Sequence, residues 1–276
     1  MDQYTRTSYK LARTVTLDYS TSFGTSSQLF SNDIRDHIYA IYGLVRIADE
    51  IVDTYQGKDM AEVLKNLEAE TLQSLKTLFS PNPLVQAFVM TANRYNIGPD
   101  LIKPFFKSMQ MDIAPQTYTP KRYLDYIYGS AEVIGLMCLK VFCNDEARYK
   151  KLEAGARALG SAYQKVNFLR DIKADYNERG RVYFPGIAFE TFNDQQKDAI
   201  IKDIKKDFKN ARPAVAKLPT SARSAVALSY AYYLELLNKL EHTPAENIKA
   251  SRVRVNNAKK LQLLIKTRIN KGTINV

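Results

Sequence analysis

The 276-residue sequence predicts an all-α fold, and three observations carry that prediction. Apolar residues recur every three or four positions along most of the chain, the period of one helix face. Prolines and glycines fall between these runs. No segment alternates polar and apolar side chains as a half-buried strand does, and there is no internal repeat. No linker is long or polar enough to mark a boundary, so residues 1–276 read as one domain of about eight to ten helices.

Residues 33–54 predict a helix with Asp33 near its start, where an acid suits the helix dipole. In 59–79, Val63, Leu64, Leu67, Thr71, Leu75 and Leu78 form one stripe with charges between them. Pro81 and Pro83 end that helix, and Gly98 with Pro99, and Pro115 with Pro120, mark the next breaks. Helices follow over 121–143 and 148–175, with a stop at Gly180 and Pro185. Helices over 194–210 and 221–240 are separated by Pro213 and Pro219, and a last helix over 245–269 follows Pro244.

Forty-five per cent of the residues are hydrophobic, which supports a large core. The two cysteines, Cys138 and Cys143, lie in one apolar run, which excludes a disulfide framework and fits a reducing, cytoplasmic location. The two histidines, His37 and His242, are too few and too far apart for a His-rich metal centre. No apolar run reaches the roughly 20 residues of a spanning helix, and the N-terminus lacks the basic and apolar regions of a signal peptide. The net charge is +11, and residues 191–276 hold 17 Lys/Arg against 7 Asp/Glu. So basic a C-terminal third suits an anionic partner. Nucleic acid is not expected, since no recognition motif is present.

Two acidic clusters stand at helical spacing. In Arg46-Ile-Ala-Asp49-Glu-Ile-Val-Asp53 the two aspartates are four apart and share a face, with Arg46 one turn earlier. Like charges at this spacing repel, and a divalent cation between them turns that cost into a binding site. In the second cluster Asn167, Asp171 and Asp175 step by four, with Gln164 one turn before them and Arg170 alongside. Both stripes sit in apolar helices, where unpaired carboxylates are expensive, so a shared metal–phosphate site is the expected reading over a solvated face.

The ordered set of motifs resembles the squalene/phytoene synthase family. Tyr39-Ala-Ile-Tyr42-Gly-Leu-Val-Arg46-Ile-Ala-Asp49-Glu-Ile-Val-Asp53 is similar to that family's first aspartate-rich motif. Gln164-Lys-Val-Asn167-Phe-Leu-Arg170-Asp171-Ile-Lys-Ala-Asp175, with the tail Arg181-Val-Tyr183-Phe-Pro185, is similar to the second. Tyr19-Ser20-Thr-Ser22-Phe23, Tyr126 to Gly135, Tyr233-Leu-Glu-Leu-Leu and Arg252-Val-Arg254-Val extend the likeness from about residue 15 to 265.

The resemblance implies an isoprenoid-synthase-type helical bundle around a central apolar cavity. It implies a prenyltransferase that joins two prenyl diphosphates 1′–1 through a cyclopropylcarbinyl diphosphate. Two geranylgeranyl diphosphates giving phytoene, the first step committed to carotenoids, is the favoured product. The C30 alternative is dehydrosqualene or squalene from two farnesyl diphosphates. A third reading is a non-catalytic relative serving as a binding or assembly factor, against which the intact aspartates argue. By the same resemblance Asp49, Asp53, Asn167, Asp171 and Asp175 bind Mg²⁺, with Mn²⁺ as a substitute. Ser20, Tyr42, Arg46 and Arg170 contact diphosphate, and Gln164, Tyr126 and Tyr233 stand in the cavity near the diphosphate and the cation. NADPH is not expected unless the product is squalene, and no Gly-x-Gly-x-x-Gly fingerprint occurs. Gly129, Ala131 and Gly135 either open room for a prenyl chain or allow close helix packing. Glu132 stands where many relatives have glycine, and puts a carboxylate by the tunnel unless a basic partner faces it. The tail Lys271–Val276 is not a membrane anchor. A water-insoluble product and the basic C-terminal third together predict peripheral contact with the anionic inner face of the plasma membrane, with Lys202, Lys205, Lys206 and Lys209 as the contact.

Overall fold

The structure is a computed structural model that describes residues 1–114, 117–143, 145–270 and 272. Among the described residues there are thirteen α-helices and no strand, more helices than the eight to ten expected. They are α1 (Gln3–Tyr19), α2 (Thr21–Ser27), α3 (Asn32–Asp53), α4 (Met60–Thr77), α5 (Pro83–Arg94), α6 (Pro99–Met111), α7 (Pro120–Ile127), α8 (Val133–Phe142), α9 (Glu146–Arg179), α10 (Asp194–Ala216), α11 (Thr220–His242), α12 (Ala245–Ala250) and α13 (Asn257–Ile269). The break expected at Pro115 and most of the tail from Lys271 lie outside the described residues.

Local chemistry sets the helix ends. Pro83, Pro99 and Pro120 each open a helix, where a missing N–H costs nothing. Asp2, Asn82, Asp145 and Asn193 cap helix starts by accepting backbone N–H groups. Gly180 closes α9 at φ 63°, a left-handed conformation that favours glycine.

Three boundaries differ from the sequence reading. Pro213 does not break the chain: it sits in the last turn of α10, which runs on to Ala216. The expected helix 245–269 is two helices, because residues 251–256 leave the helix between α12 and α13. The expected helix 121–143 is continuous but contains a π-helical turn, Tyr128–Glu132, between α7 and α8.

Helix α3 buries Ile34, Ile38, Ile41, Leu44, Ala48 and Val52 along one stripe and packs against α1, α5 and α8. Helix α9 runs along α10, α8 and the π-turn, burying Val166, Phe168, Leu169 and Ile172. These two apolar stripes fix the azimuth of the acidic positions beside them. Gly129 in the π-turn lets the chain approach α6: a Cβ there would lie 2.3 Å from the Pro104 carbonyl oxygen and 2.7 Å from Ser108 Cβ. Close packing is therefore the role of Gly129. Gly129→Ala is expected to destabilise the protein by about 1–3 kcal/mol, read as a lower urea midpoint at unchanged slope.

Candidate active site

An apolar cavity of about 870 Å³ occupies the bundle between α2, α3, α8, α9, α11 and the 251–256 segment. Its walls include Phe30, Ile38, Ile41, Leu139, Leu159 and Leu236. Six expected site residues line it: Ser20, Tyr42, Arg46, Asn167, Arg170 and Tyr233. Ser20 caps α2, accepting the Phe23 N–H at 3.2 Å. Tyr42 stacks on Phe23 with ring centroids 5.3 Å apart, and burial pushes its hydroxyl pKa up. Tyr233 stacks on Tyr163 at 3.9 Å. Ala131 and Gly135 also line the cavity, so the small-residue segment both widens it and, at Gly129, packs.

The carboxylates lie beside these liners. Arg46 Nε donates to Glu50 Oε1 at 3.0 Å, while its NH1 lies 4.0 Å from Asp49 Oδ2 and its guanidinium covers the Tyr19 ring at 4.4 Å. Glu50, which spacing alone did not single out, is thus the nearer partner of Arg46. Arg170 Nε donates to Asp171 Oδ1 at 2.9 Å, and Arg252 Nε contacts the same oxygen at 2.7 Å. Arg179 joins the two motifs: its Nε is 3.2 Å from Asp53 Oδ1 and its NH1 is 3.3 Å from Asp175 Oδ1. Arg181, 8% exposed, donates to Asp53 Oδ1 at 2.9 Å and to the Asp112 carbonyl at 2.5 Å.

Asp112 is buried and was not legible from spacing. Its Oδ2 accepts from the Tyr126 hydroxyl at 2.5 Å and its Oδ1 from the Tyr183 hydroxyl at 3.0 Å, with Arg181 Nε 3.7 Å away. Tyr126 does not line the cavity, contrary to expectation. Its ring packs against Tyr118, Phe168 and Tyr183, and its hydroxyl is taken by the strongest buried acceptor in reach. Gln164 is half-buried and also lies outside the wall. Glu132 has its basic partner, Arg157, whose Nε is 2.6 Å from Glu132 Oε2.

Burial dominates the electrostatics. It pushes Asp49 up to about 7, with Asp53 and Asp112 adding to the rise against the pull of Arg46. It pushes Asp175 up to about 7, helped by Asp171 and Asp53 and opposed by Arg179 and Arg181. Asp112 rises to about 6 for the same first reason. Carboxylates of both motifs thus repel one another across the site, a field that favours an added cation.

The donor set fits a hard divalent ion. It is all oxygen, and the Asn167 carboxamide oxygen is buried with no hydrogen-bond partner, so a ligand position is free on the second stripe. Among the described residues no three Asp, Glu, His or Cys side chains converge on one point, and Arg170, Arg179, Arg181 and Arg252 currently share the aspartates.

A pH test follows from Asp175. Its pKa is raised in the folded state, so the folded protein holds a proton that the unfolded chain releases near pH 4. The stability contributed by this group therefore falls as pH rises from about 4 to about 7. Asp175→Asn is expected to gain Tm relative to the parent across that window, with the gain level above it. A gap that shrinks with rising pH would contradict the site's electrostatics.

Comparisons with known proteins bear on the family and the fold. A family model, squalene/phytoene synthase, matches residues 17–259. A 4,4'-diapophytoene synthase of Staphylococcus haemolyticus is 28% identical over 71% of this chain and 68% of its own length. A phytoene synthase of Arthrospira platensis is 28% identical over 85% of this chain and 84% of its own length. In fold, a crystal structure of a dehydrosqualene synthase in complex with ligand aligns with a TM-score of 0.80, covering 97% of this chain and 98% of that one at 22% identity. With a match that runs through both aspartate motifs, the chain belongs to the squalene/phytoene synthase family.

Proposed function

We propose that this protein is a prenyltransferase that condenses two prenyl diphosphates head to head, most favourably two C20 geranylgeranyl diphosphates to phytoene. The observation that carries the reading is the meeting of both aspartate stripes, through Arg179, beside one apolar cavity. Mg²⁺, or Mn²⁺ in its place, would be held by Asp49, Asp53, Asn167, Asp171 and Asp175, and supplies positive charge against which a diphosphate can leave.

The chain's own groups do the rest. Arg46 and Arg170 line the cavity, and their guanidinium forks match phosphate oxygens. Ser20 and Tyr42 offer hydroxyls to the same anion. The leaving charge is neutralised by groups already in place, so little reorganisation accompanies bond breaking. The apolar walls keep water from the allylic and cyclopropylcarbinyl cations. Tyr233, stacked on Tyr163, presents a π-face that stabilises positive charge. Tyr126, expected in the cavity near the diphosphate and the cation, is read instead as a positioning residue, its hydroxyl committed to Asp112. The name of the Staphylococcus haemolyticus relative favours a second reading, in which two C15 farnesyl diphosphates give a C30 hydrocarbon.

Incubation with C15 or C20 diphosphate and Mg²⁺, with and without NADPH, tests the proposal through hydrocarbon analysis. A C40 product from C20 substrate without NADPH is expected. EDTA is expected to stop turnover while leaving the thermal unfolding transition in place. A C30 product alone overturns the chain length, squalene formed only with NADPH overturns phytoene as the product, and no hydrocarbon from either substrate overturns the reaction.

A further inference from the structure

The C-terminal helix α13 faces water with its apolar side. Its sequence is Asn-Ala-Lys-Lys-Leu-Gln-Leu-Leu-Ile-Lys-Thr-Arg-Ile, with four basic residues and no acid. At 100° per residue, half-buried Lys260, Leu263 and Leu264 and buried Thr267 fall on one side, the side packed on α11. The Tyr232 hydroxyl of α11 donates to the Lys260 carbonyl at 3.2 Å, and Lys259 lies 3.6 Å from Glu235 of the same helix. The opposite side carries Leu261, Ile265 and Ile269 at i, i+4 and i+8. These side chains are 56%, 50% and 74% exposed, three of the eleven large hydrophobic residues left in the open on the described surface. Lys259 and Lys266 flank this row on one side and Arg268 on the other.

No core requirement explains such a row, since the inner side of α13 already packs. We propose that the outer face of α13 is a docking surface for an anionic lipid bilayer, with Leu261, Ile265 and Ile269 entering the headgroup–acyl boundary and Lys266 and Arg268 meeting lipid phosphates. Charge decides the occupant. A second copy of this helix would set Lys266 and Arg268 against the same pair, whereas an anionic bilayer attracts both and accepts the apolar row. Helix α10, which holds Lys202, Lys205, Lys206 and Lys209, is the weaker candidate. Its outer face mixes these lysines with exposed Asp198 and Asp203, Lys205 is held 2.5 Å from Glu241, and no large apolar side chain stands exposed on it. Asn257 and Lys260 of α13, and Arg252–Val255 just before it, line the cavity. Docking through α13 thus sets the cavity against the membrane, an arrangement that suits a hydrocarbon product and, in that respect only, rests on the function proposed above.

The 276-residue sequence lacks tryptophan, so a single Leu261→Trp substitution at this exposed position reports on α13 without background. The probe is vesicles of phosphatidylcholine, with and without about one third phosphatidylglycerol. The expected result is a blue shift and quenching by brominated acyl chains on anionic vesicles only, reversed by high salt. Flotation of a Leu261→Ser/Ile265→Ser/Ile269→Ser variant, which keeps every charge, is expected to show a partition coefficient lower by about 100-fold or more. Unaltered binding of that variant, equal binding to neutral vesicles, absence of binding, or a solution dimer that the triple substitution dissociates would each overturn the proposal. None of these readouts involves catalysis, so they stand apart from the test of the reaction.

Discussion

Asp49→Ala is expected to lower turnover by about 10³-fold or more while the protein remains folded at least as stably as the parent. The loss is large because the carboxylate is assigned to the ion that neutralises the leaving diphosphate, and even a single donor of this kind is worth about 10²–10³. Stability moves the other way. Burial raises Asp49 to about 7, and Asp53 and Asp112 repel it, so its charge is a cost in the metal-free protein. Arg46 keeps its contact with Glu50 when Asp49 is removed. Asp171→Ala gives the contrasting case. It too is expected to abolish turnover, but it leaves Arg170 and Arg252 without their shared carboxylate, so its Tm should fall. Steady-state rates and thermal melts of the two variants check both halves. An Asp49→Ala enzyme with near-parent rate would remove Asp49 from the metal site.

Asp112→Ala is expected to cost about 3–5 kcal/mol of stability. The side chain is 4% exposed, accepts two tyrosine hydroxyls and faces Arg181. Removing it leaves two buried hydroxyls without their acceptor and weakens the partner set of a buried guanidinium. Asp112→Asn keeps an oxygen for the tyrosines and should lose about 1 kcal/mol. Urea unfolding of the pair measures the difference. Equal small losses would mean that the Tyr126–Asp112–Tyr183 network does not hold the two motifs in place.

The parts of this fold legible in the sequence are those where an apolar stripe and an acidic stripe share a helix. In α3 and α9 the burial of Ile38, Leu44 and Val52, or of Val166, Phe168 and Leu169, dictates which way Asp49, Asp53, Asn167 and Asp175 face. Helix α1 was not legible because its inner face mixes small polar residues with only Tyr9 and Ala12 as buried apolar ones. Thr5, Ser8 and Thr16 are buried at helical spacing, and the hydroxyls of Ser8 and Thr16 return to carbonyls one turn back, at 3.0 and 2.8 Å. No apolar period marks such a helix. The break between α12 and α13 had a signal that helical periodicity masked: in Arg252-Val253-Arg254-Val255 the side chains alternate, and the two valines pack on the core. Asp112 had no local signal at all. Its partners Arg181 and Tyr183 are 69 and 71 positions away, and only folding brings them together. The same holds for Arg157, whose place beside Glu132 explains why a carboxylate is tolerated there.

The most direct test of the proposed reaction is the bond it forms. Incubation of the protein with geranylgeranyl diphosphate carrying ¹³C at C1, with Mg²⁺, should give a symmetric hydrocarbon whose two labelled carbons are bonded to each other, seen as the second-order AA′XX′ pattern of the central ¹³CH=¹³CH unit in the proton-coupled spectrum. Labelled carbons separated along the chain, as in head-to-tail extension, or release of labelled prenyl alcohol without coupling, would contradict head-to-head condensation.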